Sequence, residues 1–156
     1  MRDRRATGGA VSHTKNIREQ LLTAAREARH HAYAPYSGYA VGAAVCDEDG
    51  RIFAGANVEN ASYGLTVCAE RVAIFRAVSE GVRGICALAV VTQDGGAPCG
   101  ACRQVLAEFA DGDALVWCAS EENASLTEYR LADLLPDAFR LPSQPSHKDE
   151  LILGGI

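Results

Sequence analysis

The first part of the chain has the hydrophobic spacing of helices. From Asn16 onward, "IREQLLTAAREARHHAYA" carries apolar residues at helical spacing, and Asn16 followed by Glu19 is typical of a helix start. The stretch "PYSGY" ends this predicted helix. A second helix is predicted over "VCAERVAIFRAVSEG", with Gly81 as its C-terminal cap.

Short apolar runs predict the strands. "AVGAAVC" and "RIFAGANV" flank the turn "DEDG", and Asp-Gly between two apolar runs favours a β-hairpin. "ICALAVVT" and "ALVWCAS" are continuous apolar runs, as expected for strands that are covered on both faces. Three further elements complete the pattern. They are a helix over "CGACRQVLAEFA" with Pro98 in its first turn, a weaker edge strand over "SLTEYRL" and a short helical turn over "ADLLPDAF".

The order of these elements predicts the fold class. Strand-helix-strand units require crossover connections, so we expect the later strands to be parallel and the helices to cover the sheet. The predicted fold is α/β, a three-layer α-β-α domain with a mixed sheet of about five strands. Residues 1–14 are expected to form a disordered tail and 15–141 the folded domain, whereas the order of the linker-like segment 142–156 is left open.

Composition and charge exclude several classes of protein. The net charge of the 156 residues is -5, and no run of Lys and Arg is interleaved with aromatic residues, so a nucleic-acid partner is not expected. No apolar run approaches the roughly 20 residues of a membrane helix. The N-terminal stretch "MRDRRATGGAVSHT" lacks the apolar core of a signal peptide. We therefore expect a cytoplasmic protein whose partner is a small neutral or cationic molecule.

Cysteine is the residue type that carries candidate chemistry. Three of the six cysteines lie in or beside apolar runs and are expected to be buried small hydrophobic residues: Cys46, Cys86 and Cys118. Cys99 and Cys102, in "PCGAC", lie on one face at the start of a predicted helix, where partial positive charge favours thiolates. Taken alone, this pair fits a metal site and a redox couple equally well.

Cys68 favours the metal site. It lies at the start of the other predicted helix, and both helices follow strands, so the two helix starts should share the sheet edge at which open α/β sheets place their sites. Three thiolates leave one position of a tetrahedral zinc ion for water. None of the four histidines lies near either cysteine cluster, so no fourth protein ligand is expected. The pattern predicts a catalytic zinc site.

Charged residues beside Cys68 extend this prediction. On a helix, Glu70 would point about 200° away from Cys68, towards a different side of the metal, where a carboxylate can move protons to and from a bound water. Arg71 is predicted to donate hydrogen bonds to the thiolates. Arg103 has either the same role or a surface salt bridge. Outside such a site, all three would be interpreted as surface residues.

Longer stretches resemble a known family. "CAE" followed by "PCGAC" is the cysteine form of the zinc nucleobase deaminase signature. From about residue 17 to 139 the chain resembles the small cytidine deaminases in motif order and spacing, through "PYSGYAVGAAV", "GANVENASYGLTVCAERVAIFRAVSEG", "PCGACRQVLAEF" and "LLPDAF". The resemblance implies hydrolytic deamination of cytidine and 2′-deoxycytidine to uridine and 2′-deoxyuridine, in pyrimidine salvage.

The resemblance also implies roles for individual residues. One Zn²⁺ per chain would be held by Cys68, Cys99 and Cys102, and a zinc-bound hydroxide would attack C4 of the base. Glu70 would shuttle the protons.

Further residues would bind the pyrimidine nucleoside. Asn57 and Glu59 would hydrogen-bond a ribose hydroxyl, since a polar pair at the end of a buried strand is costly unless something pairs with it. Tyr39 would lie over the pyrimidine ring, and the backbone amide of Ala69 would meet the base carbonyl.

Family members are homotetramers with composite active sites, so Tyr63 and Phe139 would reach the site of a neighbouring subunit. The sequence departs from the family in two places. Tyr39 stands where the family usually has Phe, so its hydroxyl needs a partner. After "LLPDAF" the chain continues "RLPSQ" where the family tends to have Gly-Pro. This departure affects the segment that would bring Phe139 to the site of the neighbouring subunit.

Three other interpretations are compatible with parts of the pattern. The first is a deaminase of another aminopyrimidine nucleoside, such as an antibiotic of the blasticidin S type. The second is a polynucleotide editor, which the acidic charge balance disfavours. The third is a non-enzymatic zinc or redox domain that uses Cys99 and Cys102.

Overall fold

The computed structural model describes residues 8–142, with side chains described from residue 13. Within these residues, four α-helices and five strands follow one another in the predicted order, with one further short 3-10 helix (Tyr63–Leu65). The elements are α1 (Gly8–Arg29), β1 (Gly42–Cys46), β2 (Ile52–Ala56), α2 (Ala69–Ser79), β3 (Ala87–Thr92), α3 (Gly100–Phe109), β4 (Leu115–Ser120), β5 (Leu126–Arg130) and α4 (Leu131–Leu134).

One mixed sheet in the order β2-β1-β3-β4-β5 forms the middle of the molecule. The predicted hairpin is confirmed, since β1 and β2 pair antiparallel with Cys46 opposite Ile52. β1 is also antiparallel to β3, and β3 is parallel to β4. The strands β2, β3 and β4 therefore run in one direction, as their helical crossovers require. β5 follows β4 through a short turn and is the antiparallel edge strand.

Helices cover both faces of the sheet, so the predicted three-layer α/β fold is confirmed. Side chains alternate between the two faces of each strand. On one face, α1 packs with Leu21 and Ala25 against Ala44 and Trp117. On the other face, residues of α2 and α3 form the larger core with the sheet, including Ala73, Ile74, Leu106, Val45, Leu88 and Val116.

The first helix differs from its prediction at both ends. It begins at Gly8 and not at Asn16, so residues 8–14 of the expected disordered tail are helical. Extending a helix costs less than starting one, and no proline interrupts this stretch. The helix ends at Arg29, before "HAYA", because Tyr33 forms a bridge with Val58 instead. Residues 1–7 and 143–156 lie outside the described residues.

The burial of the three cysteines in the apolar runs also differs in part from expectation. Cys46 and Cys118 are buried, but Cys86 is exposed. β3 begins only at Ala87, so Cys86 lies just outside the strand that the apolar run predicted. Among the described helices, none combines the length and the apolar character needed to cross a membrane.

Two glycines let the helices approach the hairpin closely. A Cβ atom at Gly42 would lie 1.9 Å from the carbonyl oxygen of Ala25 in α1. A Cβ atom at Gly55 would lie 2.7 Å from the backbone nitrogen of Ala73 in α2. Both distances are impossible for a real side chain, so the layer spacing at β1 and β2 depends on glycine.

Replacing Gly42 with alanine should therefore destabilise the fold. The added methyl group forces α1 away from β1, and we expect the free energy of unfolding to fall by about 3 kcal/mol, as for overpacked cores. Urea unfolding followed by the fluorescence of buried Trp117, the only tryptophan, measures this change. The matched control is Gly64→Ala, because a Cβ atom there meets nothing within 4 Å. Equal urea midpoints for the two variants would contradict the packing argument.

Candidate metal centre and active site

Three cysteines converge at one edge of the sheet. Cys68 is the N-cap of α2, Cys99 is the N-cap of α3, and Cys102 lies in the first turn of α3. Their Sγ atoms all lie within 4.8 Å of one another, with 3.5 Å between those of Cys99 and Cys102. The two helices follow β2 and β3, which run in the same direction, so the prediction that both helix starts share one edge is confirmed.

The donor set fits a zinc ion. Soft thiolate ligands favour zinc, and the positive ends of two helices favour the thiolate form that a metal needs. All three cysteines are free, and the 3.5 Å between Cys99 and Cys102 is far longer than the ~2.05 Å of a disulfide bond. Within residues 13–142, this is the one group of three potential ligand side chains close enough to share an ion.

Arg71 lies against the cysteine cluster, as the sequence predicted. Its Nη2 atom is 3.7 Å from Cys68 Sγ and donates to the carbonyl oxygen of Thr66 at 3.2 Å. A hydrogen bond from Cys102 lowers the pKa of the Cys68 thiol, and the guanidinium group of Arg71 contributes in the same direction. Negative charge on the Cys68 sulfur atom is therefore stabilised before any metal is considered.

Arg103 has neither of the roles that the sequence left open. Its Nε donates to the carbonyl oxygen of Pro98 at 2.7 Å, and its Nη1 donates to that of Leu134 at 2.8 Å. Helical side chains lean towards the N-terminus of their helix, which brings Arg103 back to the segment before Cys99. Arg103 thus holds the approach to Cys99 and the end of α4.

Glu70 is buried beside the cysteines. Only 5% of its surface is exposed. Burial raises the pKa of its carboxyl group to about 7, and the neighbouring charge at Cys68 adds to the effect. A carboxyl group with a pKa near the working pH is suited to accepting and releasing protons.

A cavity of about 300 Å³ lies next to this cluster. Six of the residues singled out in the sequence line it: Tyr39, Asn57, Glu59, Cys68, Glu70 and Cys99. The sequence reasoning missed the other lining residues: Ser37, Val41, Thr66, Val90, Thr92, Gly96 and Ala97. Ser37 in "PYSGY" and Thr92 at the end of an apolar strand were the available signals, since polar residues that follow predicted strands or helices often line sites.

Asn57 and Glu59 bind the backbone of the neighbouring loop. The Oδ1 atom of Asn57 accepts from the Val41 amide at 2.9 Å, and its Nδ2 donates to the Tyr39 carbonyl oxygen at 2.8 Å. The Glu59 carboxylate accepts from the Tyr36 amide at 2.9 Å and from the amide and hydroxyl of Ser37. Protein groups thus supply the pairing that these polar side chains need, and their role towards a substrate stays a prediction.

The remaining predicted residues are divided between the site and the surface. Ala69 is fully buried between Cys68 and Glu70. The hydroxyl of Tyr39 has a partner, since it donates to Asp94 Oδ1 at 2.5 Å. Tyr63 and Phe139 lie outside the cavity and are 75% and 70% exposed.

Comparison with known proteins gives the class first. The family model described as "Cytidine and deoxycytidylate deaminase zinc-binding region" matches residues 15–118. This is a class of zinc-binding hydrolases, in agreement with the cysteine cluster.

Relatives that match most of the chain then give the family. A cytidine deaminase of Sporosarcina psychrophila is 50% identical over 123 residues, which are 78% of this chain and 90% of that protein. The crystal structure of a cytidine deaminase from Burkholderia pseudomallei superposes with a TM-score of 0.74 at 47% identity, over 78% of this chain and 98% of that one. The crystal structure of a cytidine deaminase from Mycobacterium tuberculosis superposes with a TM-score of 0.69 at 45% identity, over 79% of this chain and 97% of that one. The chain belongs to the cytidine deaminase family.

Removing one cysteine of the cluster should abolish stable zinc binding. We expect zinc in the purified wild type and much less in Cys99→Ser, because losing a ligand lowers affinity beyond the about 10- to 100-fold that outer partners contribute. Metal content measured by mass spectrometry after dialysis tests this. Cys86→Ser is the control, since this exposed cysteine lies outside the cluster. Zinc-free wild type with Cys99 and Cys102 oxidised to a disulfide would instead favour the redox interpretation.

Proposed function

We propose that the protein catalyses the hydrolytic deamination of cytidine and 2′-deoxycytidine to uridine and 2′-deoxyuridine, in pyrimidine salvage. The observation that carries the proposal is buried Glu70, which lines the same cavity as Cys68 and Cys99. The names of relatives that are 44–50% identical support the same reaction.

Cys68, Cys99 and Cys102 would hold one zinc ion per chain. Bound there, zinc would supply Lewis acidity that makes water a nucleophile near neutral pH. Arg71 would weaken electron donation from the thiolates by hydrogen bonding to Cys68, which matters because three thiolates carry more charge than the metal.

Glu70 would move the protons of the reaction. Its carboxylate would take a proton from the attacking water and deliver it to ring nitrogen N3, which makes C4 more electrophilic. It would then carry the second proton to the amino group, which leaves as ammonia. One water is consumed, and the amino group is replaced by the oxygen of the product. The raised pKa of Glu70 supports both transfers, since the group can hold or release a proton at neutral pH.

The walls of the cavity would bind the nucleoside. The ring of Tyr39 would lie over the pyrimidine, and the backbone amide of Ala69 would meet the base carbonyl. Asn57 and Glu59 would bind a ribose hydroxyl. This role is compatible with their bonds to the loop, because an amide nitrogen has two hydrogens and a carboxylate accepts several bonds.

Charge at the cavity favours a nucleoside over a nucleotide. None of the described residues that line it is Lys or Arg, whereas Glu59 and Glu70 are acidic. A phosphate group would therefore enter without a cationic partner and against like charge.

The proposal includes an assembly and a location. Residues 15–141 would form the catalytic domain of a homotetramer, in which Tyr63 and Phe139 reach the site of a neighbouring subunit. The large exposure of both side chains supports this, as does the exposed ring of Tyr36, whose centroid lies 5.8 Å from that of Tyr63. The free cysteines support a reducing, cytoplasmic environment.

Glu70→Gln should keep zinc and lose turnover. The amide preserves the size of the side chain but cannot carry a proton, so we expect kcat for cytidine to fall by about 10³-fold or more. Loss of cytidine absorbance measures the rate, and metal analysis of the same sample shows that the site is loaded. Glu80→Gln, an exposed residue paired with Arg76 at the end of α2, serves as the control. Turnover in Glu70→Gln equal to the wild type would refute the proposed role.

A panel of substrates tests the assignment to nucleosides. We expect cytidine and deoxycytidine to be deaminated, and deoxycytidine to exceed deoxycytidine monophosphate in kcat/KM by about tenfold or more because of the unpaired phosphate charge. Free cytosine and blasticidin S complete the panel. Blasticidin S as the preferred substrate would instead support a deaminase of antibiotic nucleosides.

A further inference from the structure

Two loops that line the cavity are in contact with each other. The first, residues 37–41, lies between α1 and β1 and contributes Ser37 and Tyr39 to the lining. The second, residues 93–98, connects β3 to the metal ligand Cys99 and contributes Gly96 and Ala97. A hydrogen bond from Tyr39 Oη to Asp94 Oδ1, 2.5 Å long, joins them although the two residues are 55 positions apart.

The second loop is built to present Asp94. Buried Thr92, the last residue of β3, donates its hydroxyl to Asp94 Oδ1 at 3.2 Å. The hydroxyl oxygen of Thr92 in turn accepts from the amides of Gly95 at 2.8 Å and Gly96 at 2.9 Å, which closes the turn around Asp94. Gly95 has a φ of +81°, which glycine adopts without strain. The carboxylate is therefore held by a tight turn on the end of a core strand.

The contact between the loops is closely fitted at Gly96. A Cβ atom there would lie 3.3 Å from Tyr39 Oη and 3.5 Å from Asp94 Oδ1. Glycine thus leaves room for the hydroxyl and the carboxylate beside the backbone of the second loop.

Tyr39 is fixed equally well on its own side. Its amide donates to Ser37 Oγ at 3.0 Å, and its carbonyl oxygen accepts from Asn57 Nδ2 at 2.8 Å. Ser37 in turn bonds the carboxylate of Glu59. A continuous set of hydrogen bonds therefore runs from the proposed ribose-binding pair, through Tyr39, to the loop that ends at a metal ligand.

The donor and the acceptor have the protonation states that the bond needs. The hydrogen bond from Tyr39 lowers the pKa of Asp94, and burial is the main reason why the pKa of Tyr39 is raised. At neutral pH the phenol is a donor and the carboxylate an acceptor, which makes the bond charge-assisted.

We propose that Tyr39 and Asp94 are a positioning pair, which sets the distance between the ribose-binding side of the cavity and the metal centre. The proposal rests on the proposed function. A phenylalanine ring, usual at this position in the family, can stack on a base but cannot form this bond. The pair acts on binding geometry and takes no part in the chemical step.

Kinetics of the zinc-loaded full chain test the pair. We expect Tyr39→Phe and Asp94→Ala each to raise KM for cytidine about fivefold, the effect of one hydrogen bond at a solvent-accessible position, with kcat within about twofold of the wild type. The double variant should be no worse than either single variant, since both remove the same bond. Asp94→Asn keeps an acceptor oxygen and should recover most of the affinity.

Gln93→Ala is the matched control. Gln93 lies in the same loop but bonds Glu122 and does not line the cavity, so its loss should leave KM unchanged. A wild-type KM in Tyr39→Phe, or additive effects in the double variant, would overturn the pairing.

Hydrogen-deuterium exchange of residues 93–98 tests the same bond without turnover. Exchange should be faster in Tyr39→Phe and Asp94→Ala than in the wild type, and unchanged exchange would overturn the proposal. If the wild type does not deaminate cytidine, the proposed function fails, and exchange still decides whether the two loops are joined.

Discussion

The antiparallel pairing of β1 with both of its neighbours is the constraint on which the rest of the structure depends. Gly42 lies opposite Ala56 of β2 on one side and Val91 of β3 on the other, so the ends of these two strands are level. Because both run in the same direction, the helices that follow them begin side by side. Two cysteines at helix starts, distant in sequence, therefore meet in space. The same glycine admits the carbonyl oxygen of Ala25, so one position fixes both the strand ends and the packing of α1.

This shared edge combines groups that would be costly to bury separately. Partial positive charge at the start of α2, together with Arg71, favours negative charge on the sulfur atom of Cys68. Glu70 lies in the same small space but in an environment that favours its protonated form. The Cys68 thiolate and a carboxyl group that gains and loses a proton near neutral pH can therefore coexist within one cavity, a combination that suits proton transfer in a family of hydrolases.

Local patterns predicted much of this arrangement. Continuous apolar runs identified β3 and β4, Asp-Gly identified the hairpin, and cysteines at two helix starts identified the cluster that could hold a metal ion. Features that depend on neighbours distant in the chain were not predictable. Arg103 bonds carbonyl groups of Pro98 and Leu134, and Asp94 pairs with Tyr39, because loops of unrelated spacing meet only after the sheet forms. The start of α1 was placed too late because a capping signal at Asn16 also fits the interior of a longer helix.

The connection between β3 and α3 has a consequence for how this protein can change over evolutionary time. Exposed, glycine-rich loops usually tolerate insertions and deletions. Here, however, Thr92 ties one end to the core, Arg103 ties the other end to Pro98, and Asp94 is tied across to Tyr39. Adding or deleting a single residue would shift the carboxylate or Cys99 out of place. The short turn between β4 and β5 shares the constraint, because the amides of Glu121 and Glu122 donate to the carbonyl oxygens of Thr92 and Gln93. The loop can therefore vary only in the chemistry of side chains that do not line the cavity, such as Gln93.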